Sequence, residues 1–329
     1  TQLYAELPGL IDLTQVPELQ VLNEQQGIIT IGAAVSYTRL EEYFASRSPA
    51  LVKLLHRLGS KQIRNSGSIG GNLGNGSPIA DMPPILMTWD AEIQVGSSDD
   101  SERSVAVKDF YRGYRDIALG EQDYIKSVTI PSAAADRFHR FYKNSKRIED
   151  DISSAMGAFS FQLEDDLITM ARIAYGGMAA TPIRLNEIED MLIGKAVTPE
   201  LLSEIQERSA AILEPMTDVR ASAEYRNAMA VQMLERALRE LNGEKLVDIT
   251  EVLSAGGNSL DAVEQGVMVE EVDVTNQSVG NGGRPDRDGN VTLDACIMDK
   301  DGNCGAVVYI QNIVHPISVA RKVMEDTPH

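Results

Sequence analysis

The residues best suited to chemistry lie in one stretch, Asn65-Ser-Gly-Ser-Ile-Gly-Gly-Asn-Leu-Gly-Asn-Gly-Ser-Pro-Ile-Ala-Asp81. Five glycines (Gly67, Gly70, Gly71, Gly74 and Gly76) stand there among small hydroxyl and amide side chains. Glycine leaves the backbone bare, so such a segment lets N–H groups close around an anion such as a pyrophosphate. The spacing from Gly67 to Gly70 is wrong for the dinucleotide fingerprint G-x-G-x-x-G, and no Gly-Lys-Ser/Thr follows to make a P-loop. On composition alone an ordinary turn-rich loop is the other reading. A second polar run, Lys143 to Asp151 with Arg147, Glu149 and Asp150 inside it, reads on composition as a solvated charged surface.

Other chemistries are bounded by what the chain contains. It has only two cysteines, Cys296 and Cys304, and four scattered histidines. That excludes a Cys-ligated iron–sulfur cluster within the chain and argues against structural zinc, so no metal site is assigned. A disulfide is not indicated, which points to a reducing cytoplasm. The formal charge of −19 over 329 residues argues against nucleic acid or an anionic membrane surface as partner. No apolar run is long enough to span a bilayer, and no secretory leader is legible at the start.

Around the glycine segment the pattern alternates between strand and helix. Ile28 to Gly32 reads as a strand, and Thr38-Arg-Leu-Glu41 as a capping box opening a helix. Ser48-Pro49 starts another helix, with Gly59 as its C-terminal stop. A short helix is expected near Ile85 to Trp89, and strands at 91–95, 124–130, 138–142, 155–163 and 168–175. Beyond Pro182 the character is helical, over 184–193, 199–213 and about 222–241. The last helix has an apolar stripe of Ala228, Val231, Leu234, Leu238 and Leu241, closed by Asn242-Gly243. Charge density more than doubles beyond Gly243: the first 243 residues carry −10 and the last 86 carry −9.

Ser68-Ile-Gly-Gly-Asn72 followed by Ser77-Pro-Ile-Ala-Asp81 resembles the second FAD loop of the flavin subunit or domain of the molybdenum hydroxylases, the xanthine dehydrogenase and CO dehydrogenase flavoprotein family. Lys143 to Ile152, with its Arg-x-Glu-Asp-Asp core, resembles that family's flavin-side loop, and Ala174-Tyr-Gly-Gly-Met-Ala-Ala-Thr-Pro-Ile-Arg184 its C-terminal subdomain. With the strand from Ile125 to Pro131, these blocks cover about residues 1–243. The resemblance implies an α+β fold: a PCMH-type FAD-binding subdomain over 1–120 and a CO-dehydrogenase-flavoprotein C-terminal subdomain over 121–243. The family's Gly-Gly-Thr-Asp type loop, which precedes the stretch resembling Leu7 to Leu13, has no counterpart here, so the first lobe of the FAD site is expected to be missing and FAD weakly held.

Carried over by position, the resemblance places Ser68, Gly71, Asn72 and Asn75 at the pyrophosphate and ribityl part of FAD, with Ser77 supporting the loop. Asp81 matches a sugar-hydroxyl or flavin contact, Ile125 an apolar position on the cofactor, Leu58 a family aromatic and Lys143 a basic contact. Arg147 and Asp150 match the loop beside the flavin ring. The implied partners are a molybdopterin-binding subunit and a [2Fe–2S] subunit, with NAD or another electron acceptor downstream.

Residues 244–329 resemble a different family. Ser259 to Gly266, Ser278 to Asp286, Thr292 to Asp299 and Ile313 to Glu325 resemble the α-chain of glycosylasparaginase, an N-terminal nucleophile hydrolase with an αββα fold. The threonine that does the chemistry there lies beyond Thr327-Pro328-His329, so no catalytic residue is assigned. Read from the residues, Asp294 and Asp299 are solvated or turn-capping, and Cys296 is a buried, inert thiol. The function expected is the FAD-binding electron-transfer component of a molybdenum hydroxylase. The competing readings are an amidase fragment lacking its nucleophile, and an inactive joined chain.

Overall fold

The computed structural model describes residues 12–147, 150–244, 252–253, 256–272 and 279–327. The chain divides into two compact units, Thr1–Gly243 and Glu244–His329.

The first unit opens with β1 (Leu22–Gln25) and β2 (Ile28–Gly32), then α1 (Tyr37–Phe44), α2 (Pro49–Leu58), α3 (Lys61–Ser66), α4 (Ile69–Gly74) and α5 (Met82–Thr88). Strands β3 (Glu92–Ser97) and β4 (Glu102–Ala106) follow, then α6 (Val107–Phe110), the hairpin β5 (Tyr111–Gly113) and β6 (Asp116–Ile117), β7 (Asp123–Pro131) and α7 (Ser132–Ala135). Five strands form an antiparallel sheet in the order β1-β2-β7-β3-β4. Its inward residues Ile29, Ile31, Ile93, Val95, Val128 and Ile130 close a core with Phe44, Leu55, Ile69, Leu73 and Trp89. Alternate burial along β2 and β3 is the period-2 pattern of a half-covered sheet.

Strands β8 (Phe138–Asn144), β9 (Ala155–Glu164), β10 (Leu167–Gly176) and β11 (Ile183–Arg184) make a second antiparallel sheet, and α8 (Asn186–Leu192), α9 (Pro199–Ile212) and α10 (Ala223–Leu241) complete the unit. Phe159, Phe161, Ile173 and Tyr175 pack there against Ile188, Ile205, Leu234 and Leu238.

Local signals were displaced in three places. The N-cap of α1 is Ser36, whose hydroxyl accepts from Arg39 N at 3.3 Å, while the Thr38 hydroxyl turns to Asn65. Gly59 does end α2, yet in extended backbone (φ −174°) rather than left-handed, and it is the packing of Ile63 where a Cβ would stand that calls for glycine. The buried face of α10 is Arg226, Ala230, Met233, Leu234, Ala237 and Leu238, so Ala228 of the expected stripe is exposed.

In the second unit, α11 (Ser259–Val272), the hairpin β12 (Leu293–Met298) and β13 (Cys304–Ile310), and α12 (Pro316–Asp326) are described. Ile297, Ile317, Ala320 and Met324 form a small core. The Glu271 carboxylate accepts from Ile317 N at 2.9 Å at the start of α12, and Arg321 pairs with Asp261, Glu264 and Glu325. Cys296 corrects the expectation of a buried thiol: both cysteines are free and exposed, because the alternation along β12 turns Ile297 inward and Cys296 outward. Asp299 accepts from the N–H groups of Asp301 and Asn303 and caps the hairpin turn.

Candidate functional site

The glycine segment is less a loop than a capped helical turn. The Ser68 hydroxyl accepts from Gly71 N at 3.2 Å and starts α4. Gly70 N then donates to Ala33 O (2.9 Å), Asn72 N to Ser68 O (3.1 Å) and Asn75 N to Gly71 O (3.2 Å). Expected as a cradle of bare amides, these N–H groups are instead bonded within the protein.

What the segment leaves open is space. A Cβ built on Gly70 would fall 2.6 Å from Ala33 Cβ, and Gly76 holds a positive φ of 62° with Arg115 Cα 3.2 Å from where its Cβ would be, so both glycines serve chain packing. A Cβ on Gly71 would meet only Ser68 Oγ, at 3.2 Å, and one on Gly74 only Ile125 Cδ1, at 3.7 Å. Gly71, Gly74 and Asn75 are exposed, and Ile125, buried on β7, is the apolar floor beneath Gly74. At the base of the segment Asn72 Oδ1 and the Tyr37 hydroxyl are buried near each other, close enough for Asn72 to act on the phenol but without a hydrogen bond of good geometry. Burial first, and the Asp81 carboxylate second, raise the Tyr37 phenol well above its ordinary pKa, so it stays a neutral donor.

At the far end of the segment Asp81 and Lys143 meet. Lys143 Nζ lies 2.7 Å from Asp81 Oδ2, with side chains 2% and 8% exposed, and the Ser153 hydroxyl donates to the other Asp81 oxygen. These contacts tie the glycine segment to β8 and to the turn that leads into β9. Gly177 N adds a bond to Pro78 O at 2.9 Å, so the Ala174 to Arg184 block packs on Ser77 to Ala80. Ser77 Oγ accepts weakly from Ile79 N at 3.4 Å within the same turn.

The loop after β8 returns toward the end of α2. Asp150 Oδ1 accepts from Ser60 N at 2.6 Å, just past half-buried Leu58. Arg57 donates to Lys143 O at 2.8 Å. Arg147 stands apart: its side chain is largely exposed and its contacts go to Asp151. Glu149 lies outside the described residues. The structure therefore brings together Ser68 to Asp81 with Ile125 and Lys143, and places Leu58 beside Asp150. Sequence reasoning missed Tyr37, Arg57, Ser153 and Arg115. Only Ser153, directly after the Arg-Ile-Glu-Asp-Asp-Ile run, carried a signal by proximity.

Comparison with known proteins bears on this geometry. The FAD binding domain in molybdopterin dehydrogenase matches residues 2–133, and the CO dehydrogenase flavoprotein C-terminal domain matches residues 140–241. The carbon monoxide dehydrogenase medium chain of Hydrogenophaga pseudoflava is 30% identical over 237 residues, covering 71% of this chain and 82% of that one. The chain belongs to this flavoprotein family. The solved carbon monoxide dehydrogenase from Hydrogenophaga pseudoflava superposes with a TM-score of 0.65 at 29% identity, over 69% of this chain and 79% of that one. Xanthine dehydrogenase 1 of Arabidopsis thaliana is 32% identical over 210 residues, which is 59% of this chain but only 15% of the plant protein. A third family, described as asparaginase, matches residues 221–329. The N(4)-(Beta-N-acetylglucosaminyl)-L-asparaginase of Elizabethkingia miricola is 63% identical over 83 residues, 25% of this chain and 24% of that one.

The residues present fit FAD. The backbone at Gly71 and Gly74 lacks side chains on an exposed face and admits close approach, and Ile125 gives an apolar floor. Among the described residues no group of three or more His, Cys, Asp or Glu could hold a metal, and no helix is long and apolar enough to cross a membrane.

Proposed function

We propose that the first unit carries FAD as the electron-transfer component of a molybdenum hydroxylase, receiving electrons from [2Fe–2S] clusters on a partner that also serves a molybdopterin subunit. NAD or another soluble oxidant is the acceptor. When bound, the isoalloxazine supplies two-electron and one-electron chemistry, and the protein supplies binding, orientation and electrostatics.

In this reading Ser68, Gly71, Asn72 and Asn75 line the pyrophosphate and ribityl part. Gly71 gives way sterically rather than donating a hydrogen bond, since its N–H is taken by Ser68. The Asn72 amide oxygen is buried beside the Tyr37 hydroxyl, so Asn72 acts by holding the turn. Ile125 packs on the cofactor's apolar side. Asp81 and Lys143 act chiefly on each other and fix where the segment lies, with Ser77 holding the turn between. Leu58 and Asp150 border the ring side, where Asp150 sets negative charge near the flavin, and exposed Arg147 governs access of an oxidant.

The observation that carries this reading is the division of the glycines: Gly70 and Gly76 are closed in by other parts of the chain, while a Cβ at Gly71 would meet only the Ser68 hydroxyl and one at Gly74 only Ile125. The test is FAD titration of the full chain, wild type against Gly71→Val, followed by flavin fluorescence. A side chain at Gly71 touches only Ser68 Oγ, so the fold should survive while FAD affinity falls at least about tenfold, roughly 1.4 kcal/mol. Unchanged affinity in a folded Gly71→Val protein would remove the glycine surface from the site.

A further inference from the structure

Residues 43–80 hold five lysines and arginines and no carboxylate side chain, in a chain whose formal charge is −19. Arg47 spends its charge on Glu24 and Asp136, and Arg64 on Glu41. Arg57, in the last turn of α2, is different: it is half-buried and, among the described residues, pairs with no carboxylate. Its Nη1 donates to Lys143 O at 2.8 Å and its Nη2 reaches Ser145 Oγ at 3.4 Å, while Nε is buried without an acceptor. Holding a guanidinium against neutral acceptors is costly, and an unmet donor adds to the cost. A neutral amide could tie α2 to the end of β8 as well; the charge is what those two bonds leave unexplained.

The place of that charge suggests its use. Leu58, the next residue, and Asp150, whose Oδ1 accepts from Ser60 N at 2.6 Å, border the flavin ring in the function proposed above, and the inference rests on that reading. Of the other cations at this end, Lys143 is spent on Asp81 at 2.7 Å, and Arg147 is 73% exposed and shares its charge with Asp151. Asp150 is exposed too, so water and salt screen its negative charge more than they screen the positive charge of Arg57.

We propose that Arg57 supplies the fixed positive charge that favours reduced flavin at this site, acting through space rather than by contact. Two electrons, delivered one at a time by the [2Fe–2S] partner of that reading, and one proton from water leave the flavin with one negative charge at its N1–C2 edge. A guanidinium held nearby, away from bulk water, stabilises that charge and raises the reduction potential. Nε is enclosed, so the effect needs no hydrogen bond to the cofactor.

Sulfite reads the same charge without turnover: its sulfur lone pair bonds to flavin N5, and the displaced electron pair ends at the N1–C2 edge, bleaching the flavin's visible absorbance. The experiment loads the full chain with saturating FAD and measures sulfite affinity and, against reference dyes, the midpoint potential. Arg57→Gln removes the charge and keeps an amide donor; Arg57→Lys keeps the charge and loses the planar fork. Sulfite affinity should fall about tenfold in Arg57→Gln and the potential by about 30 mV, the same tenfold for a two-electron couple, while Arg57→Lys stays within about threefold of wild type. Arg57→Met serves as the neutral variant should Arg57→Gln not fold. A neutral variant that binds FAD and sulfite as wild type does would overturn this inference alone. Equal losses in the neutral variant and Arg57→Lys would overturn it as well, since the side chain would then act only by holding β8. A wild-type chain that takes up no FAD would instead overturn the function proposed above, and this inference with it.

Discussion

Replacing Lys143 by methionine should be among the costliest single changes in the first unit, and the reason is electrostatic. The Asp81 and Lys143 side chains are 8% and 2% exposed and 2.7 Å apart, so each charge is solvated chiefly by the other. Lys143→Met keeps the aliphatic length but leaves the Asp81 carboxylate buried with only the Ser153 hydroxyl as a remaining side-chain partner. Breaking a buried pair from one side costs about 3–5 kcal/mol, whereas removing both charges is often close to neutral. Trp89, the one tryptophan, is buried in the first unit's core, so its fluorescence in urea reports the transition. With a slope of about 2 kcal/mol/M, the midpoint of Lys143→Met should fall by roughly 1.5–2.5 M, and Asp81→Asn/Lys143→Met should recover more than half of that. A single variant within about 1 kcal/mol of wild type, or a double variant no better than the single, would refute the reasoning: Asp81 and Lys143 would then be solvated separately.

His139 is buried with Nε2 2.7 Å from the Ser48 hydroxyl, and burial, partly offset by the Arg137 backbone, lowers its pKa from 6.5 to about 4. The unfolded chain then binds the extra proton, so the contribution is fully present above pH 6.5 and is lost as pH falls toward 4. Between pH 7 and 4.5 this group should remove roughly 2–3 kcal/mol of stability, and His139→Gln should flatten the pH dependence by that amount in urea titrations. An unchanged slope would mean that His139 is protonated in the fold. Gly70→Ala, next to the harmless Gly71, should destabilise the unit by about 1–3 kcal/mol despite the better helix propensity of alanine, because its Cβ would meet Ala33 at 2.6 Å. A Gly70→Ala protein as stable as wild type by thermal melting would show that the α4 backbone shifts freely.

The elements with strong periodicity were legible. Strands such as Ile28–Gly32 and helices such as Pro199–Ile212 follow from alternation or from capping signals beside them. Signals chosen by a single residue type were less reliable. Thr38 and Ser36 are both competent N-caps, and only the chain's approach along the Ser36–Ser68 bridge selects Ser36. The short β5–β6 hairpin carried no readable alternation, although it places Arg115 against Gly76. The glycine segment stood out by its composition, but its physics was misjudged: composition cannot tell a bare amide from one already bonded, and here Ala33 O, Ser68 Oγ and Ser68 O take the donors. Lys143 and Asp81 were each singled out by the resemblance, yet that they spend their charges on each other is a tertiary fact.

Helix α10 shows how packing decides what sequence similarity leaves double. The flavoprotein match runs to residue 241 and the asparaginase match begins at 221, so both families claim this helix. Its buried side answers for the first. The Tyr175 hydroxyl, on β10, donates to Ala230 O at 2.7 Å, and Met233, Leu234 and Leu238 lie in the core with Phe159. Arg226, 2% exposed, sends Nε to Ser154 O at 2.9 Å and Nη2 to Asp218 at 2.7 Å. Ser154 follows the Ser153 that holds Asp81, and Asp81 holds Lys143. A continuous line of buried polar contacts thus runs from α10 to the end of the glycine segment. Burying an arginine is tolerated only when its hydrogen bonds are supplied, and Ser154, Met216 and Asp218, which supply them here, all lie in the first unit. The helix is therefore part of what holds the glycine segment in place, and it packs within the first unit, Thr1–Gly243.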